Sequence, residues 1–244
     1  MQKKDHLLPS TLIELIENQR YGVEYQPIIC LKNQEIYAYE CLSRFFDRKN
    51  TPIGPDIVYA LLHDSPLSLF QVEYQQKKLQ LSCAPNNMNI FVNLDQDSYF
   101  STGALKEENP FLKLFKDFEK SEIIVELIEN SEISDAIMSL AMIDNLSKNN
   151  IRTAIDDVCN PHSMVSTGVI QLVNYIKFDK YVLSNRSNVN FMLLVESLIN
   201  YSHNANKKVI LEGVETFDDL QFAKQLNVDF VQGFYYRDLF KNVS

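Results

Sequence analysis

The chain has 244 residues, 45% of them hydrophobic and 23% charged, with 6 Gly and 8 Pro. That is the composition of a soluble globular protein, and it excludes a low-complexity or disordered one. A formal net charge of −9 argues against nonspecific binding to nucleic acid or to an anionic membrane surface.

No run of about 18 apolar residues and no apolar core of signal-peptide length occurs, so the chain is read as cytoplasmic. Cys30, Cys41, Cys83 and Cys159 are widely spaced and form no CxxC pair. They read as small core residues in a reducing compartment, not as a disulfide framework or a zinc site. No Gly/Pro/Ser-rich linker divides the chain, which is read as one domain over 1–244.

In chain order, segments rich in Val, Ile, Phe and Tyr predict strands over 23–31 and 36–44. Helical spacing over 67–83 is followed by strands over 88–95 and 123–129. A helix over 134–150 opens on Ser134 as its N-cap, and strands follow over 152–158 and 174–182. A helix over 188–206, a strand over 208–215, a helix over 217–227 behind the cap Thr216 and a strand over 229–236 complete the pattern. Strands alternating with helices call for parallel pairing with helical crossovers. About eight strands in this length fit a closed β/α barrel, whose active sites sit at the C-terminal ends of its strands. A doubly wound open sheet is the alternative, although no GxGxxG follows the first strand.

Seven of the apolar runs carry a polar group near the point where they give out: Glu40, Asn93, Glu126, the Asp156–Asp157 pair, Lys177, Glu212 and Gln232. A buried carboxylate is costly unless something positive compensates it. The same cost at successive strands predicts that these ends converge on one site. Carboxylates with an Asn are ligands suited to hard divalent cations. Strand alternation puts Glu40, Leu42 and Arg44 on one side. It separates Glu126 from Glu129 and Glu212 from Glu215, so one of each pair is expected to face the site while the other supports a loop. Asp156 and Asp157 reach one centre only where their strand ends. Taken singly, each residue has a plainer reading as a solvated Glu, a turn or cap, or a surface lysine. Recurrence at corresponding places is what weakens those readings.

The segments YQPIICLKNQEIYAYECLSRF (25–45), FVNLD (91–95), VELIE (125–129), AIDD (154–157), IKFD (176–179), LEGVET (211–216) and VQGFYY (231–236) resemble, in order, the EAL-domain family. The resemblance covers about residues 22–237. It implies an α/β fold, a modified TIM-like (β/α)8 barrel with one antiparallel strand. It also implies hydrolysis of cyclic di-GMP to linear pGpG with two Mg²⁺ or Mn²⁺ ions. Carried over by position, Glu40, Asn93, Glu126 and Asp156 would hold the first ion. Asp156 would bridge to the second, with Asp157 completing that site. Lys177 would hold the attacking water, and Glu212 would act as general base or water ligand, so that Glu40, Lys177 and Glu212 form the catalytic set. Gln232 would complete the pocket, while Gln26 and Arg44 would contact guanine and phosphate. Glu129 would anchor the loop after the paired aspartates. His6, His63, His162 and His203 match no family site and are assigned to surface or packing.

The chain departs from the family pattern in three places. Cys41 stands where the family has alanine, a change of small consequence in a buried position. Asp95 stands where the family commonly has serine. In the loop 158–165 both glycines of the family's DDFGTGYSSL are gone, and Pro161 occupies one of their places. Glycine reaches backbone angles that cysteine and proline disfavour, so this loop is expected to take another path. That keeps a second reading open: a catalytically weak or inactive EAL-like domain that binds cyclic di-GMP or a protein as a regulator. A third is an unrelated divalent-metal barrel enzyme acting on a sugar phosphate or enolate. The family commonly dimerises, so a homodimer or a protein partner is an expected association, whereas DNA and membrane are not. The chain carries no diguanylate cyclase motif.

Overall fold

The structure, a computed structural model, describes residues 7–103, 108–127, 133–164 and 166–243. Helix α1 (Pro9–Glu17) leads into β1 (Tyr21–Cys30), β2 (Ile36–Phe46) and the short β3 (Pro52–Ile53). Helices α2 (Pro55–Leu62) and α3 (Pro66–Ser82) precede β4 (Asn89–Leu94), and α4 (Gln96–Phe100) and α5 (Pro110–Lys116) precede β5 (Ile123–Leu127). Next come α6 (Ile133–Lys148), β6 (Arg152–Val158), α7 (Thr167–Leu172), β7 (Tyr175–Phe178), α8 (Tyr181–Ser184) and α9 (Val189–Asn204). The chain ends with β8 (Lys208–Leu211), α10 (Phe217–Gln225), β9 (Phe230–Gln232), a 3-10 segment over Phe234–Leu239 and β10 (Lys241–Val243). Helices α1, α2, α3 and α5 each begin on a proline, whose fixed φ and missing N–H suit a first helical turn.

Strands β2, β4, β5, β6, β7, β8 and β9 pair in parallel in that order. The first strand, β1, closes the ring by pairing antiparallel with both β2 and β9. The short turn between β1 and β2 enforces this reversal, since parallel neighbours need a long crossover. The result is the TIM-like α/β barrel with one antiparallel strand that the sequence predicts. Strands β3 and β10 are additions, on β2 and β1 respectively.

Inside the ring, Ile28, Ala38, Phe91, Ile124, Ala154, Tyr175, Ile210 and Phe230 form one buried cluster, a single residue from each barrel strand. Their sequence neighbours Val92, Val125, Ile155, Ile176, Leu211 and Val231 belong instead to the larger core shared with the helices. Both faces of the strands are therefore covered, which is why the strands read as nearly continuous apolar runs. Among the described residues, no helix is long and apolar enough to cross a membrane.

Several predicted boundaries shift. The predicted strands over 174–182, 208–215 and 229–236 stop at Phe178, Leu211 and Gln232. Asp179 ends the first by accepting a hydrogen bond from the Tyr181 N–H at 2.7 Å, which starts α8. Gly213, at φ 70°, breaks the second. Thr216 caps α10 as expected, in a reciprocal capping box with Asp219. Ser134 does not cap α6, because the helix already includes Ile133.

In the loop after the paired aspartates, Cys159, which stands at a lost glycine position, has a left-handed backbone with φ 71°. Asn160 supports the turn: its N–H donates to the Asp157 carbonyl at 3.0 Å, and its Oδ1 accepts from the His162 N–H at 3.0 Å. A non-glycine residue in this region costs about 1–2 kcal/mol, offset in part by the larger unfolded-state entropy of glycine. Cys159→Gly is therefore expected to stabilise the protein by roughly 0.5–1 kcal/mol in urea unfolding. A lower stability would show that the thiol's packing outweighs the strain.

Candidate metal and active site

Side chains two positions apart on a strand share a face. Two residues on from the apolar interior ring, toward the C-terminal ends of the parallel strands, stand Gln26, Glu40, Asn93, Glu126, Asp156, Lys177, Glu212 and Gln232. On the reversed β1 the step runs backward, from Ile28 to Gln26, which pairs directly with Glu40. Every barrel strand thus gives one side chain to a polar tier on an apolar floor. The structure brings together the eight predicted residues that lie in this tier.

Lys177 stands at its centre, fully buried. Its Nζ lies 2.6 Å from Glu212 Oε1, 2.8 Å from Glu126 Oε1, 3.1 Å from Asp156 Oδ1 and 3.3 Å from Glu40 Oε2. Glu40 also accepts from Asn93 Nδ2 at 3.1 Å and from Gln232 Nε2. Burial raises the Glu40 pKa, but Lys177 and the two amide donors outweigh it and hold the carboxyl below its usual range. Glu126 has few such donors. Burial first, then the Glu40 charge, push its pKa well up. Glu212 is raised in the same way, by burial and then by Asp156. Burial disfavours the Lys177 ammonium, yet Asp156, Glu126, Glu212 and Glu40 together hold its pKa well above the ordinary value.

Asp157 joins the tier through its backbone. Strict alternation would point it away from Asp156, but its φ of 53° is left-handed and the β6–β7 register shifts between Ile155 and Val158. The strand ends there, as the adjacent aspartates require. Burial, then Asp156 and Asp179, push the Asp157 pKa up to about 7.

Two groups of carboxylates result, with ligand oxygens in each lying within 4.8 Å of one another: Glu40, Glu126 and Asp156, and Asp156, Asp157 and Glu212. Asp156 is common to both. Glu126 Oε2 is buried without a hydrogen-bond donor among the described residues. A set of hard oxygen donors with an orphaned carboxylate oxygen fits divalent cations of the Mg²⁺, Mn²⁺ or Ca²⁺ kind.

A recess of about 280 Å³ opens above the tier, lined by Gln26, Glu40, Asp156, Glu212 and Gln232. Lys180 and Phe234 also line it, and the sequence reading missed both; Glu215 lines it together with Glu212, which corrects the expectation that one of that pair faces the site. The signals of the missed two were faint: a lysine in KFDK and an aromatic after Gln-Gly. Leu42 lines this recess and a second one of about 420 Å³. Arg44 lies in the second, with its guanidinium 2.5 Å from Glu24, and not over the carboxylate tier. His63 also lines the second recess, with Nε2 3.4 Å from Asp95. Glu129 lies outside the described residues.

The family model of the EAL domain matches residues 10–238. The cyclic di-GMP phosphodiesterase PdeL of Escherichia coli is 25% identical over 240 residues, spanning 95% of this chain and 66% of PdeL. The bifunctional diguanylate cyclase/cyclic di-GMP phosphodiesterase MucR of Pseudomonas aeruginosa is 24% identical, spanning 91% of this chain and 33% of MucR. Among solved structures, the Bacillus subtilis YkuI protein, in complex with cyclic di-GMP and calcium, has the same fold. Its TM-score is 0.77 at 20% identity, covering 94% of this chain and 58% of YkuI.

Proposed function

The chain belongs to the EAL-domain family, and from that premise we propose that it hydrolyses one phosphodiester bond of cyclic di-GMP to give linear pGpG, with two Mg²⁺ or Mn²⁺ ions. The observation that carries this reading is the pair of carboxylate groups sharing Asp156. Glu40, Asn93, Glu126 and Asp156 would hold one ion, and Asp156 with Asp157 the other. Such ions, when bound, make hydroxide available near neutral pH and offset charge on the attacking and leaving oxygens.

The remaining work falls to protein groups. Lys177 keeps its proton and so holds the attacking water as a donor. Glu212, whose carboxyl lies 2.6 Å from the Lys177 ammonium and lines the recess, takes the proton from that water. Leu42 lines both recesses, so a ligand lying across it would span the two. Gln26 and Gln232 meet it on one side, and Arg44, held by Glu24, meets a phosphate on the other.

A second reading, binding without hydrolysis, draws on the left-handed backbone at Asp157 and Cys159. Incubating the pure protein with cyclic di-GMP and Mn²⁺ and following pGpG by chromatography separates the two. Product is expected with Mn²⁺ and none with EDTA. Binding without product at high enzyme concentration would favour the effector reading.

A further inference from the structure

Beyond the residues already assigned, we propose that Lys180 is a substrate-contacting cation that grips a phosphate oxygen of the bound dinucleotide at the mouth of the recess. This rests on the phosphodiesterase reading and adds a residue to it.

Four carboxylates line the recess: Glu40, Asp156, Glu212 and Glu215. Among the described residues that line it, Lys180 is the one Lys or Arg. Lys177 is not available to an incoming anion, because it is fully buried within ion-pair distance of four carboxylates below. Lys180 is exposed, and no ion pair among the described residues engages its ammonium. A dianionic ligand approaching this mouth meets that charge before it meets the tier.

The backbone holds Lys180 there. It caps α8 just after Asp179, two residues past the end of the strand that carries Lys177. The root of its side chain rests against Gly213, at φ 70°, where a Cβ would collide with the Lys180 Cβ. The residue after Glu212 is therefore a glycine where the two strand ends converge, and that close approach puts Lys180 over the same recess as Glu212. The close approach of Gly213 places the root of the side chain, and the residue is otherwise exposed. A hydrogen bond from a charged donor to a phosphate matches this arrangement.

Calorimetric binding of cyclic di-GMP in Ca²⁺, with steady-state turnover in Mn²⁺, tests the assignment on the unmutated protein, Lys180→Met and Lys180→Arg. Lys180→Met is expected to weaken binding and raise KM about 10-fold, with kcat changed less than about 2-fold. It should also flatten the salt dependence of binding, since one phosphate contact is lost. Lys180→Arg should restore most of the affinity. Melting temperatures should match for all three proteins, because the contact with Gly213 uses the root of the side chain. If the unmutated protein binds and Lys180→Met binds equally well, the assignment to Lys180 fails while the phosphodiesterase reading stands. If the unmutated protein does not bind cyclic di-GMP, both fail.

Discussion

Lys177→Met is expected to lower the folding stability of the metal-free protein by about 3–5 kcal/mol and to reduce turnover by roughly 10²-fold or more. Four carboxylate oxygens lie between 2.6 and 3.3 Å from its Nζ, and the ammonium is fully buried. Methionine fills much of the same volume without the charge, so the loss is electrostatic and not a cavity. Removing one partner of a buried ion pair leaves its counter-charges uncompensated, and here four remain. Part of the loss should return on acidification, as the carboxylates around the missing ammonium, Glu126 and Glu212 among them with pKa values raised by burial, take up protons. Mn²⁺ should restore more of the stability than of the rate, since it replaces the positive charge but not the donor to water. Urea unfolding in EDTA gives the first number and pGpG formation the second. A stability loss below about 1 kcal/mol, the range of an exposed pair, would mean that the carboxylates are largely protonated in the metal-free protein.

Why this tier was legible in the sequence follows from two simple facts. A strand interior repeats every second residue, and a carboxylate is rare in a buried strand. Glu40, Glu126 and Glu212 each interrupt an apolar run, and the barrel turns those interruptions into one ring. The fold was legible for the same reason, since apolar runs covered on both sides alternate with amphipathic helices. What escaped depends on contacts between distant segments or on backbone angles. The β10 strand, Lys241–Val243, exists because β1 offers it an edge, and nothing in its three residues announces that. Lys180 carries only a faint local signal because Gly213, 33 positions later, is what places it. Arg44 shares a face with Glu40, as alternation requires, but two further steps along β2 carry it past the recess to Glu24. In the loop, Cys159 takes a left-handed angle that its side chain disfavours, and nothing in a single cysteine announces that angle.

Asp157 connects this backbone feature to the chemistry. Its left-handed φ brings a second adjacent carboxylate onto the interior face, beside Asp156 and Glu212. An ordinary extended residue there would point out toward the helices, and the second group of ligands would be incomplete. The strain at the end of β6 and the doubled aspartate are therefore one device.

That device predicts a pH dependence that reverses with metal. In the metal-free protein, Asp157 has its pKa raised from 3.8 to about 7, so between those values the folded state binds more protons than the unfolded chain. Stability then falls as pH rises through that window, and the raised Glu126 and Glu212 act in the same direction. Glu40 is lowered, so its contribution is present above its unfolded pKa and is lost only on stronger acidification. Lys177 is raised, so its contribution stays complete below its unfolded pKa near 10.5 and does not vary across this range. The metal-free protein should accordingly melt higher at pH 5 than at pH 8. Divalent ions require ionised ligands, so Mn²⁺ should add little at pH 5 and most at pH 8. At 100 times its dissociation constant the ion contributes about 2.7 kcal/mol, or roughly 5–10 °C in a chain of this size. Thermal melts from pH 5 to 8, in EDTA and in Mn²⁺, give both slopes. Equal Mn²⁺ shifts at the two ends would show that the carboxylates of the tier are not what holds the metal.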